Sequence, residues 1–455
     1  MAKLVDAPDL GSGVLRRVGS SPIRRTKEQP KGCSFFILAG SCKKSYTLLL
    51  LLPLFHNTIT DKPIPNIYRL NKAIILPVGT IILHLSIFTL SYMKILYLQH
   101  IPWGWIKQRP HFIAERLSKE YDITVAYRLG LTRKGSPVKN DTTVKLKPLY
   151  RLPLERFPAI SKINALLYRW QLAKQIKECD IVWFTAPDTL NCCPKKILKD
   201  KIVIYDCMDD MLEFNVSQRA LDNLKHCEEW LIKNADIVFS TSNFLKNVLT
   251  ARYLKRDIIV VNNAIKSIED ISISYTPQEL KNKETKKFVY IGTISSWFDF
   301  ETIHTLLNSR KDAEVHLYGI AEIEIPAIER LYFHGAVEHN HIFGIMNSAD
   351  ILLMPFKITP LIESVNPVKL YEYIYSGKPS LAPRYEESEK FEEYVYLYKN
   401  QEEFLTLANE ILSPEWNHKK SDKDCKLFAA NNTWDCRVKQ VSKEITEYIK
   451  AKKIQ

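Results

Sequence analysis

The sequence predicts an α/β fold made of two Rossmann-like domains, and three observations carry the prediction. Short β-branched or aromatic runs alternate with longer segments of helical period, the signature of parallel sheets covered by helices. The alternation occurs twice, over residues 93–265 and again over 286–430. Between the two series lies a polar stretch, 266–287, holding Glu269, Asp270, Gln278, Lys281, Lys283, Glu284 and Lys286, the composition of an interdomain linker. Ligands of such sheets bind at the carboxyl ends of the strands. Two facing halves therefore place a site in the cleft between them.

In the first series, strands are expected at 94–99, 123–127, 180–184, 201–205, 237–240 and 258–261. Helices are expected at 111–119, where Phe112, Ile113 and Leu117 share one face, at 159–177 and at 217–234. In the second series the strands are 287–292, 313–318, 331–334, 351–354 and 379–382, with helices between them. A final helix runs from Trp434 to about residue 450. No short-period repeat and no low-complexity tract interrupts the pattern.

The formal charge is +13 over 455 residues, but it is unevenly spread. Residues 1–92 account for +8 of it and the remaining 363 residues for only +5. That modest excess suits an enzyme of anionic substrates with possible peripheral contact to an anionic membrane, and it argues against nucleic-acid binding. Nine cysteines include no Cys-x-x-Cys pair, so neither a disulfide framework nor a zinc site is suggested, and reduced thiols in a cytoplasmic protein are the plain reading. The histidines are scattered, without a helical His-x-x-x-His.

Residues 1–92 read differently from the rest. Their opening, MAKLVDAPDLGSGVLRRVGSSPIRRT, resembles the conceptual translation of a transfer-RNA gene. The expectation is a non-native or disordered leader, joined upstream of a start at Met93. The alternative is a membrane anchor at 73–90, whose apolar run just reaches the length of a span. No fold is assigned before Met93.

The segment NPVKLYEYIYSGKPS, residues 366–380, reads as a short helix. Asn366 suits the N-cap, Pro367 the first helical position, and Gly377 followed by Pro379 the stop. Lys369 then falls in the first turn, where the helix dipole disfavours a cation. A helix start is also an anion site, with free N–H groups and partial positive charge. A diphosphate held at Asn366, Pro367, Val368 and Lys369, with Glu372 one turn on accepting from ribose hydroxyls, accounts for every placement. The competing reading is an exposed Lys–Glu surface pair, in the weaker of the two orientations.

This segment resembles the donor-binding motif of bacterial GT-B glycosyltransferases, in which a glutamate opens an E-(A/Y)-x-x-x-G-(K/R)-P run. Glu372, Gly377, Lys378 and Pro379 match it. The family's common form carries a second glutamate eight positions upstream, where this chain has Ser364. In that respect it is similar to a teichuronic-acid-type subgroup with N-P-x-K-x-x-E-Y. FVYIGTISSWFDFETI (288–303) resembles the first strand and loop of the donor domain, and implies donor contacts at Gly292 and Thr293. It lacks the family's Arg and Lys there, so Lys369, with Lys357, would take their place. VHLYG (315–319) is similar to the strand near the nucleotide base, ending on Gly319. The last segment, 431–455, resembles the C-terminal helix that crosses back to the first domain.

In the first half, the loop HIPWGWIKQRPHF (100–112) offers Trp103 and Trp105 for stacking on a sugar, Gly104 for close backbone approach, and Arg109 for a phosphate or carboxylate. A packed aromatic loop with a structural arginine is the equal alternative. YDCMDD (205–210) ends a strand with three carboxylates outside Asp-x-Asp spacing. Asp209 or Asp210 is a candidate catalytic or acceptor-side group, with Arg109 beside it. The resemblance implies transfer of a sugar from a nucleotide-diphosphate donor to a saccharide or lipid-linked acceptor in surface polysaccharide synthesis. It calls for no metal or other cofactor, and it implies retention of anomeric configuration. The alternatives are a two-Rossmann nucleotide-sugar epimerase and a non-catalytic nucleotide-sugar-binding subunit.

Overall fold

The computed structural model describes residues 93–454 apart from 105–106, 131–141, 255–256, 272 and 274. The readings of 1–92, including the apolar run 73–90, and that of Trp105 lie outside the described residues.

Seven strands form the first sheet: β1 (Lys94–Gln99), β2 (Asp122–Gly130), β3 (Lys145–Arg151), β4 (Ile181–Phe184), β5 (Ile202–Cys207), β6 (Ile237–Ser240) and β7 (Ile259–Val260). All pair in parallel, in the order β3-β2-β1-β4-β5-β6-β7. Both faces are covered. Leu96 and Leu98 of β1 join a core with the helices α2 (Pro158–Glu178), α3 (Gln218–Asn234) and α4 (Asn243–Tyr253). Ile95 and Tyr97, pointing the other way by the two-residue period, pack under α1 (Arg109–Leu117). This two-sided burial is why the strands read as continuous apolar runs.

The second sheet comprises β8 (Lys286–Ile291), β9 (Ala313–Tyr318), β10 (Leu331–Gly335), β11 (Ile351–Leu353), β12 (Ser380–Pro383) and β13 (Tyr396–Tyr398), in the order β10-β9-β8-β11-β12-β13. It too is parallel throughout. Each sheet reverses direction beside its first strand, between β1 and β4 and between β8 and β11. Those are the switch points where doubly wound sheets open a crevice. Helices α5 (Phe300–Ser309), α6 (Ile342–Ser348), α7 (Pro360–Glu363), α8 (Val368–Ser376), α9 (Glu386–Glu389), α10 (Gln401–Ile411) and α11 (Asp422–Asn431) accompany the second sheet.

Helix α12 (Trp434–Ile454) returns to the first sheet. Trp434, Val438, Val441 and Ile445 enter the core under α1, and Trp434 stacks on Phe112 at 5.3 Å. Where the chain crosses between halves, the Ile265 N–H donates to Asn432 O and the Trp434 N–H donates to Ile265 O, both at 3.0 Å. The stretch after Ile265 is less purely polar than its composition suggests. Ile268, Ile271 and Tyr275 pack on the second core.

The sequence reading missed β3 and β13. Both are edge strands: β3 alternates lysines with apolar residues around Pro148, and β13 has only three residues. The first helix begins at Arg109 rather than 111, because Pro110 belongs to its first turn.

One contact fixes the floor of the second half. Gly292 and Gly319, just past β8 and β9, adopt φ of +152° and +140°. A Cβ on Gly319 would sit inside the Gly292 carbonyl. Gly319→Ala should therefore cost about 2–3 kcal/mol through backbone strain and overpacking, read as a lowered denaturant midpoint at unchanged slope.

Candidate functional site

Helix α8 starts one residue later than the sequence suggests. Its N-cap is Pro367, held extended (φ −81°, ψ 105°), and no side chain caps it. Asn366 is not a cap because its side chain is engaged elsewhere. Asn366 Oδ1 accepts from the Asn263 N–H at 2.9 Å and from the Tyr371 hydroxyl at 3.2 Å. Asn366 Nδ2 donates to Glu387 at 3.0 Å, and its carbonyl accepts from Asn263 Nδ2 at 2.8 Å. Pro367, Val368 and Lys369 thus present a first turn without a side-chain cap at the carboxyl side of the second sheet. Gly377 ends the helix in the left-handed conformation (φ +70°), as the stop signal predicts.

Lys369, second in the helix, reaches across the glycine floor. Its Cε and Nζ occupy the space a Cβ on Gly292 would need, which ties the absence of a side chain at 292 to the lysine. The Nζ lies 5.6 Å from the Tyr290 ring centroid and 5.9 Å from that of Phe356. Tyr290, Phe298 and Phe356 form an edge-packed aromatic cluster. The loop after β8, which lacks the family's Arg and Lys, supplies Phe298 to it. The Tyr290 hydroxyl donates to the Thr293 carbonyl at 2.7 Å, setting that loop's course. Among the described residues Lys369 forms no salt bridge. Burial lowers its pKa, opposed by the charge of Glu372.

Glu372 lies one turn further along α8. Burial raises its pKa to about 7, against the attraction of Lys369 and Lys266. Sequence reasoning missed Lys266, which looked like a linker residue. It is 9% exposed, with Nζ 5.3 Å from the Phe343 ring, and burial lowers its pKa against the pull of Glu372. No local signal identifies it, since its partner is more than a hundred positions away. Tyr290 and Phe356 were missed for a related reason, being apolar residues that read only as core. Lys357 is exposed. Ser364 is buried; its hydroxyl donates to Leu361 O at 2.7 Å and its carbonyl accepts from the Ser242 hydroxyl at 2.7 Å.

On the first sheet, Arg109 is fully engaged with protein. Its Nε and Nη2 donate to Asp206, the Nη2 bond at 2.8 Å, and its Nη1 donates to Val261 O at 2.7 Å and reaches Asn263 Oδ1 at 3.4 Å. It is 5% exposed and sits opposite a fully buried carboxylate. Of the expected partners it takes a carboxylate, as the structural-arginine alternative has it, and it positions the chain between β7 and the second half. Asp210 is likewise engaged, accepting from Arg252 at 2.7 and 3.0 Å and capping the Leu212 N–H. Asp209 is the carboxylate left open: among the described residues only its backbone carbonyl has a partner, the Cys207 thiol. Burial and the neighbouring Asp210 raise its pKa, and Arg109 lowers it.

The loop after β1 is pinned. Trp103 packs on the His111 ring at 4.9 Å, and His111 Nε2 lies 2.9 Å from Gln99 Nε2. His100 Nδ1 meets the Thr185 hydroxyl at 2.8 Å. Gly104 takes φ +86° at an exposed position. The structure brings Gly292, Gly319, Lys369 and Glu372 together, and sets Asp209 and Trp103 on the other sheet. Asn366 and Arg109 belong to the junction between the two.

Arg109→Ala should leave Asp206 buried and unpaired and cost about 3–5 kcal/mol of stability, measured by denaturant unfolding. Glu372 predicts a pH effect. Its folded pKa lies above the ordinary carboxylate value, so the folded state holds the extra proton and stability falls as pH rises through the interval up to about 7. Glu372→Gln should remove that loss, gaining stability over the unmutated chain as pH is raised from about 5 to 8 in thermal melts.

No protein-family model matches the chain. It is similar to TuaH of Bacillus subtilis (strain 168), a protein named for a glycosyltransferase of teichuronic acid biosynthesis. The two are 22% identical over 264 residues, 53% of this chain and 66% of that protein. Among solved structures it resembles sucrose-phosphate synthase of Thermosynechococcus elongatus (TM-score 0.63, 12% identity, 79% of this chain and 100% of the other). It also resembles Anabaena HepE in complex with UDP and glucose (TM-score 0.60, 14% identity, 78% and 100%). A third likeness is to the lipopolysaccharide outer core galactosyltransferase WaaB (TM-score 0.54, 15% identity, 78% and 99%). With two parallel Rossmann-like sheets in this order and a final helix returning to the first, the chain has the GT-B fold of glycosyltransferases.

Proposed function

We propose that the protein is a glycosyltransferase that moves a sugar from a nucleotide-diphosphate donor to a saccharide or lipid-linked acceptor in surface polysaccharide synthesis. One observation carries the reading: Lys369 stands at an uncapped helix start, over a glycine floor and two aromatic faces, with no carboxylate paired to it among the described residues. An anion is the missing partner. Donor cleavage leaves charge on a diphosphate, and preorganised positive charge at that position lowers the barrier. Lys369 and the first-turn N–H groups of α8 would supply it, so the reading calls for no divalent metal. Glu372 would accept from the ribose hydroxyls, with Gly292, Thr293 and Gly319 lining the approach.

Asp209, open at the carboxyl end of β5, would face the acceptor as a base or hydroxyl-positioning group, with Trp103 and Gly104 on the acceptor side. Retention of anomeric configuration and peripheral contact with the inner face of the membrane belong to the same proposal and rest on the family likeness. The rival is a nucleotide-sugar-binding subunit without turnover. It is favoured by Ser364 in place of the family's second glutamate and by the aromatic loop after β8.

Release of UDP or GDP from a panel of sugar nucleotides, with membrane extract or oligosaccharide as acceptor source, separates the two. Tight donor binding without release of nucleotide under any condition would defeat the enzyme reading. Lys369→Gln should lower turnover about 10²–10³-fold, the typical loss for one preorganised charge donor. Its unliganded stability should change little, because the relief of burying a cation offsets the lost ring contacts and the attraction of Glu372. Unchanged donor affinity in Glu372→Gln would rule out the ribose assignment, for which a loss of about tenfold or more is expected.

A further inference from the structure

Helix α2 is apolar on the side that faces away from the protein. Its inner face is accounted for: Tyr168, Leu172 and Ile176 enter the core beside β1 and β2. Two side-chain amides fix its rotation. Asn164 exchanges hydrogen bonds with the Leu152 backbone at 2.9 and 3.1 Å, and Gln171 does the same with Tyr150, both bonds at 2.9 Å. The edge of β3 is thereby covered and the helix cannot roll. With that rotation set, Lys162, Ile163, Leu166, Trp170, Lys174 and Lys177 fall on the outer face, at helical spacing.

The exposure is large. Trp170 is 76% exposed, Leu166 63% and Ile163 45%. A helix apolar on both faces is normally enclosed, which leaves this outer face short of a partner. The turn leading into it extends the patch. Leu154, 54% exposed, holds φ +65°, a strained position for a leucine, and Phe157 beside it is 47% exposed under the Arg156 guanidinium. The outer face itself carries lysines and no carboxylate until Glu178 at the helix end; Glu155, in the preceding turn, is paired with Arg151.

We infer that this face of α2, with Leu154 and Phe157, docks the protein on a bilayer bearing anionic headgroups. The apolar stripe enters the headgroup boundary, Trp170 sits at the interface, and Lys162, Lys174 and Lys177 meet the lipid charge. A second copy of the chain is the poorer occupant, since a two-fold contact would bring the same lysines together. The placement suits the proposed acceptor chemistry. In a parallel sheet a helix runs back against its strand, so the start of α2, with Leu154 and Phe157, lies at the carboxyl end of β3. Asp209 follows the carboxyl end of β5 on the same edge of the sheet. A lipid-linked acceptor in that bilayer would enter along the carboxyl edge of the sheet that carries the residues assigned to it. The inference rests on the proposed membrane contact and is independent of the transfer chemistry.

The test is co-sedimentation of the full chain with phosphatidylcholine vesicles, with and without phosphatidylglycerol. The unmutated chain should pellet with the anionic vesicles and be released by salt. Leu166→Gln with Trp170→Gln should weaken that partition about tenfold or more, and each of Lys162→Gln and Lys174→Gln about fivefold. All four positions are solvent-exposed or lie on the outer face, so thermal midpoints should stay within a few degrees. Undiminished partition in the apolar double variant overturns the inference, even if another segment holds the chain on the vesicle. So does equal binding to neutral vesicles, or a stable dimer that the double variant disperses. UDP-induced thermal stabilisation, read on the same samples, keeps the two proposals apart. Its absence from the unmutated chain would count against the donor site and leave the vesicle result standing.

Discussion

A run of buried polar contacts joins the two sheets, and helix α8 takes its position from it. Asp206 at the end of β5 holds Arg109, Arg109 reaches Val261 O and Asn263, and Asn263 exchanges hydrogen bonds with Asn366. Asn366 passes the contact to Glu387, which also accepts from the Asn243 N–H at the start of α4 and from Lys390. Glu387 is fully buried, so its three donors are what make its charge tolerable there. Removing any one member strands another inside the protein. The first turn of α8 is thus tied to strands of the opposite sheet. Arg109 serves the site as a positioning residue.

Given that anchorage, the oddities of the donor side become mutually consistent. Buried cations are tolerated when paired, and Lys369 is instead balanced by two ring faces and by Glu372 a turn away. The aromatic loop after β8 compensates for the cations it lacks by helping to build the surface on which one lysine is held. The glycine pair beneath is required by the same geometry: side chains at 292 or 319 would displace the lysine or the neighbouring backbone. Several local rules are broken together around Lys369, the pattern expected of a functional site.

Much of the fold was legible because burial on both faces of a parallel sheet leaves dense apolar runs, and β1, β6 and β9 match the residues expected of them. The edge strands β3 and β13 were not legible. One is half polar and the other is three residues long, so neither carries the signal of a buried strand. In the site, Lys369 was visible through a conflict with the helix dipole, a purely local quantity. Lys266, Tyr290 and Phe356 were invisible because their role depends on what the fold brings near them. Arg109 shows the converse limit. Its residue type and loop position left a phosphate ligand and a structural role equally open, and only the tertiary structure reveals Asp206 opposite it. Asn366 likewise has the chemistry of a helix cap, and spends it across the cleft.

The position of Ser364 carries the argument one step further. Its side chain is satisfied within its own turn and its carbonyl is taken by Ser242, the residue that also caps α4. A glutamate there would keep the carbonyl contact but would have to bury a carboxylate where the serine hydroxyl is satisfied within its own turn. Ser364 therefore leaves that place without a carboxylate, and Glu372 is the buried carboxyl of α8. Lys266, on the crossing segment, and Lys369 together hold down a carboxyl that burial alone would push still higher. Because Lys266 follows directly on Ile265, where the chain crosses between the halves, any shift of that crossing changes the charge felt by Glu372.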